Sequence, residues 1–386
     1  MHKWLILGAS GLVVIPAVAA HSAPLPAATQ KALAELKLDS SILNGLDAEL
    51  DVPKAWVDGA AKEDSVMILG TWQDTEFRQM IAPFNERYPS VKLTYYRAGT
   101  VARGMKVVLA LREGKVIADV ITSVADAYSE FANMKAFADL RELPGFKNLD
   151  SRYVAGDGTW VAYKLAFRCM SYNTDLIKKA DLPRTWDDLA DSPHFRGGKL
   201  ALSDNPSAWL LALWSENGEQ WGREFTRRLF TNLEPQRRKE GMMALTGLTV
   251  AGEVQASLPA PERRAESYVH KGAPIGYHCP EPVPITLSQT VMLEQSKHKN
   301  GARLFINWLL STEGQLQQYL TSASVPVHKN LQQPRFIPFT ETINGKRSIA
   351  RGENLLNSDL SKTMLEVWGS YWMKSGDQRG VQKEEP

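Results

Sequence analysis

Cysteine is scarce: the 386 residues hold two, Cys169 and Cys279. With neither C-x-x-C spacing nor a neighbouring histidine, the pair makes a poor metal site. It is a candidate disulfide in an oxidising compartment, and otherwise two buried free thiols. Histidine is sparse as well. Its seven copies, at positions 2, 21, 194, 270, 278, 298 and 328, never recur at i, i+3 or i+4, so no helix face carries the imidazole pair of a zinc site. Catalytic signatures are missing too: there is no G-x-S-x-G, no H-E-x-x-H, no G-x-G-x-x-G and no phosphate loop ending in Gly-Lys-Ser/Thr. Neither sign of charge dominates. With 45 Lys and Arg against 43 Asp and Glu, the net charge of +2 gives no global field to draw the chain onto nucleic acid or an anionic membrane. A small-molecule partner therefore leads.

The length is that of two to three domains with ample core. At the start, Met1, His2 and Lys3 form a short basic lead, followed by an apolar run over residues 4–17 and by Ala17-Val18-Ala19, a small-x-small peptidase site. This reads as an export signal cleaved near Ala19. The run is shorter than the ~20 residues that span a bilayer, and no cysteine follows it to take a lipid. The expected mature protein, from Ala20 onward, is soluble in a periplasm and monomeric.

Residues 20–64 are polar and Ala-rich with a weak helical pattern, expected as leading helices outside the first domain. From Ser65 onward short apolar runs alternate with amphipathic stretches. Val66, Met67, Ile68 and Leu69 read as a buried strand closed by Gly70. Phe77, Met80, Ile81 and Phe84 recur as one helical stripe, interrupted by Pro83, which should kink or break it. Val91, Leu93 and Tyr95 alternate as a second strand, and residues 118–121 read as a third. Later, Thr185 and Asp188 have capping-box spacing, and Pro206 sits where a first helical residue would follow Asp204 and Asn205. The β-α-β-α-β order predicts an α/β fold with an open sheet, whose ligands lie beyond the carboxyl ends of the strands. That singles out the loops at residues 70–74, 98–100 and 122–125. The charged tail from Asp377 to Pro386 is low in complexity.

Several segments together resemble the family 1 extracellular solute-binding proteins of ABC importers, which include the ferric-iron binders. They are Phe84-Asn85-Glu86-Arg87-Tyr88-Pro89, Tyr96-Arg97-Ala98-Gly99-Thr100, Ala118-Asp119-Val120, Tyr172-Asn173-Thr174, Thr185-Trp186-Asp187-Asp188-Leu189, Ala251-Gly252-Glu253-Val254, Gly272-Ala273-Pro274-Ile275 and Ser311-Thr312-Glu313-Gly314-Gln315. Each piece is weak alone; their shared order over roughly residues 55 to 330 makes the composite. The resemblance implies a two-domain periplasmic-binding-protein-like fold of class II, with a ligand cleft between domains joined by two crossing strands. It assigns 65–168 and 280–335 to the first domain, 169–279 to the second and 336–386 to C-terminal helices and tail. Cys169 and Cys279 would then lie on the two crossing strands, where a disulfide would staple the hinge.

Ferric binders of this family hold iron through adjacent tyrosines after the Gly-Glu-Val strand. Here that stretch carries Arg263 and Arg264 instead, and the first-domain loops lack the accompanying His and Glu. Hard ferric iron needs anionic oxygen ligands, whereas guanidinium forks suit carboxylate or phosphate. The resemblance thus implies a solute-binding component that closes on a small anion bearing phosphate, phosphonate or carboxylate and delivers it to a membrane permease, without cofactor or catalysis. The expected binding residues are Thr71, Trp72, Gly99, Thr100, Thr122, Ser123, Asp204, Asn205, Ser207, Arg263 and Arg264. Other readings stay open: a ferric complex; a thiamine or polyamine ligand held by Asp74 and Asp204; a sensor subunit; or a secreted hydrolase using Ser123 or Ser207.

Overall fold

The computed structural model describes residues 24–124 and 127–373. The expected export signal and the charged tail therefore lie outside the described residues. Ten strands form the frame: β1 (Val66–Gly70), β2 (Leu93–Arg97), β3 (Val120–Thr122), β4 (Val161–Asn173), β5 (Leu200–Ser203), β6 (Gln236–Arg238), β7 (Ala256–Pro261), β8 (Ile275–His278), β9 (Val283–Met292) and β10 (Ser348–Arg351). They run in the order β2-β1-β3-β9-β4-β7-β5-β6, with β8 beside β4 and β10 beside β9.

Two parallel halves, β2-β1-β3 and β7-β5-β6, are joined through antiparallel β4 and β9. The thirteen residues of β4 reach ~40 Å, long enough to serve both halves. Residues 161–167 pair with β9, and residues 168–173 pair with β7 and β8. Both parallel halves are covered by helices, as their buried strands β1, β3, β5 and β7 require; only the edge strands β2 and β6 are polar. One core gathers Ile68, Phe77, Phe84, Phe305 and Trp308; the other gathers Trp186, Leu202, Trp209, Phe225 and Trp368.

Cys169 and Cys279 are disulfide-bonded, with Cα atoms 4.9 Å apart. Cys169 lies on β4 and Cys279 lies between β8 and β9, so the staple ties one linking strand to the segment that leads into the other.

The proline conflict resolves as a break. One helix spans Asp74–Met80, a second spans Ala82–Arg87, and Pro83 occupies the first turn of the second, where its missing N–H costs nothing. The Thr185–Asp188 capping box forms as the spacing predicts. Two expectations need correction. The third strand starts at Val120, because the Asp119 carboxylate is engaged with the Met67 amide at 2.7 Å, the Ser296 hydroxyl at 2.7 Å and His298 Nδ1 at 2.9 Å. Pro206 opens only a three-residue 3-10 turn, and the α-helix begins at Leu210.

The leading helices, among them Ala27–Leu36 and Lys54–Ala60, pack on the first half. Leu33 and Leu46 meet Leu316, Leu331 and Phe336 in a satellite core. At the other end of the chain, β10 adds to β9 in parallel register, and helix Asp359–Trp372 docks on the second core, Trp368 lying 5.0 Å from the Phe230 ring.

Candidate functional site

Alternation along β4 puts Lys164, Ala166 and Arg168 on one face, and the register sets Ser288 of β9 beside Lys164. This face is the floor of a cavity of about 920 Å3. One wall is Thr71 and Gln73, just past β1, with Ala323 and Ser324. The opposite wall is the start of helix Glu262–Val269, following β7. The cavity therefore lies between the two parallel halves, at the carboxyl ends of β1 and β7. Two further cavities of similar size, about 950 and 900 Å3, lie beside Arg87 near the leading helices and between His278 and Lys346. Neither is lined by both strand ends.

The lining is electropositive. Lys164, Arg168, Arg263, Arg264 and Lys271 outnumber the carboxylates Glu76, Glu262 and Glu266. Of these charges, Arg168 is already committed. Its Nη1 donates to Glu262 Oε2 at 2.9 Å and to its own neighbour's carbonyl, Phe167 O, at 2.9 Å. Glu262 is 2% exposed, and burial raises its carboxyl above the usual range while the Arg168 charge pulls the other way. Through this ion pair the crossing strand holds the first turn of the helix that carries the two neighbouring arginines. Arg264 Nη2 donates to Tyr268 Oη at 2.6 Å, its guanidinium lies 4.4 Å from that ring's centroid, and its Nε has no partner. Arg263 is exposed and makes no hydrogen bond or ion pair among the described residues. Lys164 meets the Tyr163 ring at 5.4 Å and has no carboxylate partner. Free guanidinium and ammonium groups around one cavity are donors awaiting an acceptor, which suits an oxyanion.

The residues singled out from sequence divide. Thr71, Arg263 and Arg264 come together in the cavity, Thr71 fixed by a 3.0 Å hydrogen bond between its hydroxyl and Tyr163 Oη. Trp72 is a correction: at 1% exposure it packs on Tyr163, Phe77 and Tyr95 at centroid distances of 5.0, 5.8 and 6.1 Å, so it is core beneath the site, not a stacking platform. Gly99 and Thr100 are exposed at the start of the short helix Thr100–Arg103. Thr122 is buried with its hydroxyl unpartnered, and Ser123 takes a left-handed φ of 68° with its amide 2.7 Å from Gln289 O. Arg103 clamps these two loops, donating to the carbonyls of Ala98, Thr122 and Ser123. Asp204 and Asn205 are exposed, and Ser207 lies in the 3-10 turn whose Ala208 carbonyl accepts from Thr286 Oγ1 at 3.0 Å. None of these lines the cavity, and Asp74 and Asp204 do not meet there as a cation pair. No histidine among the described residues hydrogen-bonds Ser123 or Ser207. No group of three or more His, Cys, Asp or Glu among those residues is placed to hold a metal ion. Sequence reasoning missed Lys164, Arg168 and Ser288, which sit inside apolar strands and stand out only once β4 and β9 are seen to cross together.

Two sheet halves joined by crossing strands, with a charged cavity between them, define a two-domain solute-binding fold. The family model described as "Bacterial extracellular solute-binding protein" matches residues 71–316, and the chain belongs to that family. Solved structures share the architecture. A putative extracellular solute-binding protein from Bordetella parapertussis is 16% identical with a TM-score of 0.67, over 80% of this chain and 99% of that one. Iron-bound HitA from Pseudomonas aeruginosa is 19% identical with a TM-score of 0.62, over 80% and 99%. The ferric iron-binding protein A of Mannheimia haemolytica, in an open conformation, is 15% identical with a TM-score of 0.65, over 80% and 98%. At these identities the likeness is one of fold. No curated protein matches the chain.

Proposed function

We propose that the protein is the periplasmic solute-binding component of an ABC importer that captures a small organic anion in the cavity between its two bodies and hands it to a membrane permease. The division into bodies near residues 169 and 280 belongs to this reading. So does the role of Arg263 and Arg264 as the forks that take a phosphate, phosphonate or carboxylate group. The observation that carries it is the cavity lining: cations exceed carboxylates, and Arg263, Lys164 and part of Arg264 have no protein acceptor. The structural relatives described as iron-bound or ferric iron-binding share the fold, while the stretch where the family resemblance leads one to expect an iron-ligand tyrosine pair carries Arg263 and Arg264, which can only donate. Capture stabilises a closed arrangement by differential affinity, with no bond made or broken.

The test is thermal unfolding of residues 20–386 with organic phosphates, phosphonates, carboxylates, amines and ferric citrate. A ligand at a thousand times its dissociation constant adds ~4 kcal/mol, a shift of several degrees. The expected result is a shift with an anion that Arg263→Ala plus Arg264→Ala removes. A shift with an amine alone overturns the anion reading and leaves the binding role; a shift confined to ferric citrate points to a metal complex.

A further inference from the structure

We infer that Arg351, supplied by the C-terminal strand outside the family-matched region, is a second anion-binding group of the same cleft, taking an oxyanion of the solute at the rear of its floor. The inference rests on the anion-capture reading above and adds a residue to it.

Register places Arg351 beside that floor, two strands from Ala166, although neither Arg351 nor Thr286 lines the cavity itself. Arg351 pairs with Thr286 of β9, and Thr286 pairs with Ala166 of β4, so the three side chains share one face. Ala166, with Lys164, Arg168 and Ser288 from the same face, floors the cavity. The domain-two turn at Pro206–Ala208 overlies the row, its Ala208 carbonyl accepting from Thr286.

Satisfaction of the guanidinium is what singles Arg351 out. It is 6% exposed, its Nε has no partner, and its one hydrogen bond goes to Gly352 O at 3.5 Å, the outer limit for such a bond. Arg103, equally buried, donates to three carbonyls. The Glu353 charge favours the guanidinium without forming an ion pair with it. Arg168 opposes it with a like charge, and burial draws the Arg351 pKa down to about 10. A buried cation so poorly compensated is costly, and an anion held between Arg351 and Arg168 would relieve it. The planar fork suits carboxylate or phosphate oxygens, and the cavity leaves room for the rest of an organic anion to extend toward Arg263.

Titration calorimetry with inorganic phosphate, methylphosphonate, glycerol 3-phosphate, succinate and citrate tests this on the wild-type chain, Arg351→Gln, Arg351→Lys and Arg263→Gln plus Arg264→Gln. Melting of each ligand-free protein is read alongside. For the anion that binds tightest, Arg351→Gln is expected to weaken binding at least ten-fold, and Arg351→Lys, which keeps charge but loses the fork, to weaken it less. The ligand-free melting point of Arg351→Gln should not fall, because an uncompensated charge has been removed. Wild-type affinity in Arg351→Gln, with binding lost in the Arg263 and Arg264 variant, overturns the Arg351 assignment and leaves the cleft reading intact. A lower ligand-free melting point with unchanged affinity shows a packing role and overturns it too. If Arg351→Gln does not fold, Arg351→Lys decides by the same affinity criterion. Absence of binding by any of the five anions to the wild type overturns the anion reading and this assignment together.

Discussion

His278 ends β8 with both ring nitrogens engaged: Nε2 lies 2.6 Å from the Pro183 carbonyl and Nδ1 lies 3.3 Å from Thr342 Oγ1. Burial pulls its pKa down to about 4, and the charges of Lys346 and Lys179 add to the effect. The folded value is below the unfolded one of ~6.5, so the unfolded chain binds the proton more readily and stability rises with pH between the two values. As pH falls through this window the fold is expected to lose stability, up to roughly 3 kcal/mol from this group. A melting-point profile from pH 7 to 4 reads the slope, and His278→Gln should flatten it; an unchanged profile would assign the slope to other groups. At the same scale, Trp72 shows what residue type cannot reveal. A tryptophan beside a strand end has the chemistry of a ligand platform, and only the depth of its ring among Tyr95, Tyr163 and Phe77 makes it core.

Among the elements, the crossing pair β4 and β9 with its disulfide is the least replaceable. The bridge closes a loop of 110 residues that contains the whole second sheet half. Restricting so long a loop in the unfolded chain is worth several kcal/mol, ~2–5 in practice. Cys169→Ser plus Cys279→Ser should therefore cost unfolding free energy in that range, lowering the denaturant midpoint and steepening the slope as the released loop exposes more surface on unfolding; an unchanged midpoint would mean that strand pairing alone holds the crossing. The elements whose signals are local were readable in advance. Residues 66–70 carried an uninterrupted apolar run, Thr185 and Asp188 a capping box, and Pro83 a break, and each lies where its pattern placed it. Arg263 and Arg264 were found through their place after a strand. Lys164 and Arg168 were not, because their meaning comes from register with β9 for the one and β7 for the other, each about a hundred residues away, and no local spacing encodes that. The same holds for β10, whose four residues join the sheet only through a partner far behind in the chain.

For the whole molecule, the C-terminal segment ties both sheet halves together. Ser348 accepts from Arg152 at 3.2 Å and the Glu353 amide donates to Gln289 at 3.1 Å on the side of the first half, while Arg347 pairs with Glu216 on the second. Helix Asp359–Trp372 then buries Met364 and Trp368 in the second core. Its amides are expected to exchange with solvent as slowly as those of helix Leu210–Asn217, since the two open only together. Exchange at the rate of a frayed terminus would show that the helix merely rests on the surface. Trp368→Ala should cost about 3–5 kcal/mol, read from the denaturant midpoint, as for other buried aromatic truncations.

Because that helix supplies part of the second core, the body built from β5, β6 and β7 is not finished when its own strands have been synthesised. Those strands leave the ribosome long before Trp368 does, and the chain must return through β9 before β10 and the last helix can be added. The apolar faces of Trp209 and Phe230 stay uncovered throughout that interval. Delivery of the last turn, not of the second sheet half, is thus the step that ends the chain's exposure to aggregation and to proteases.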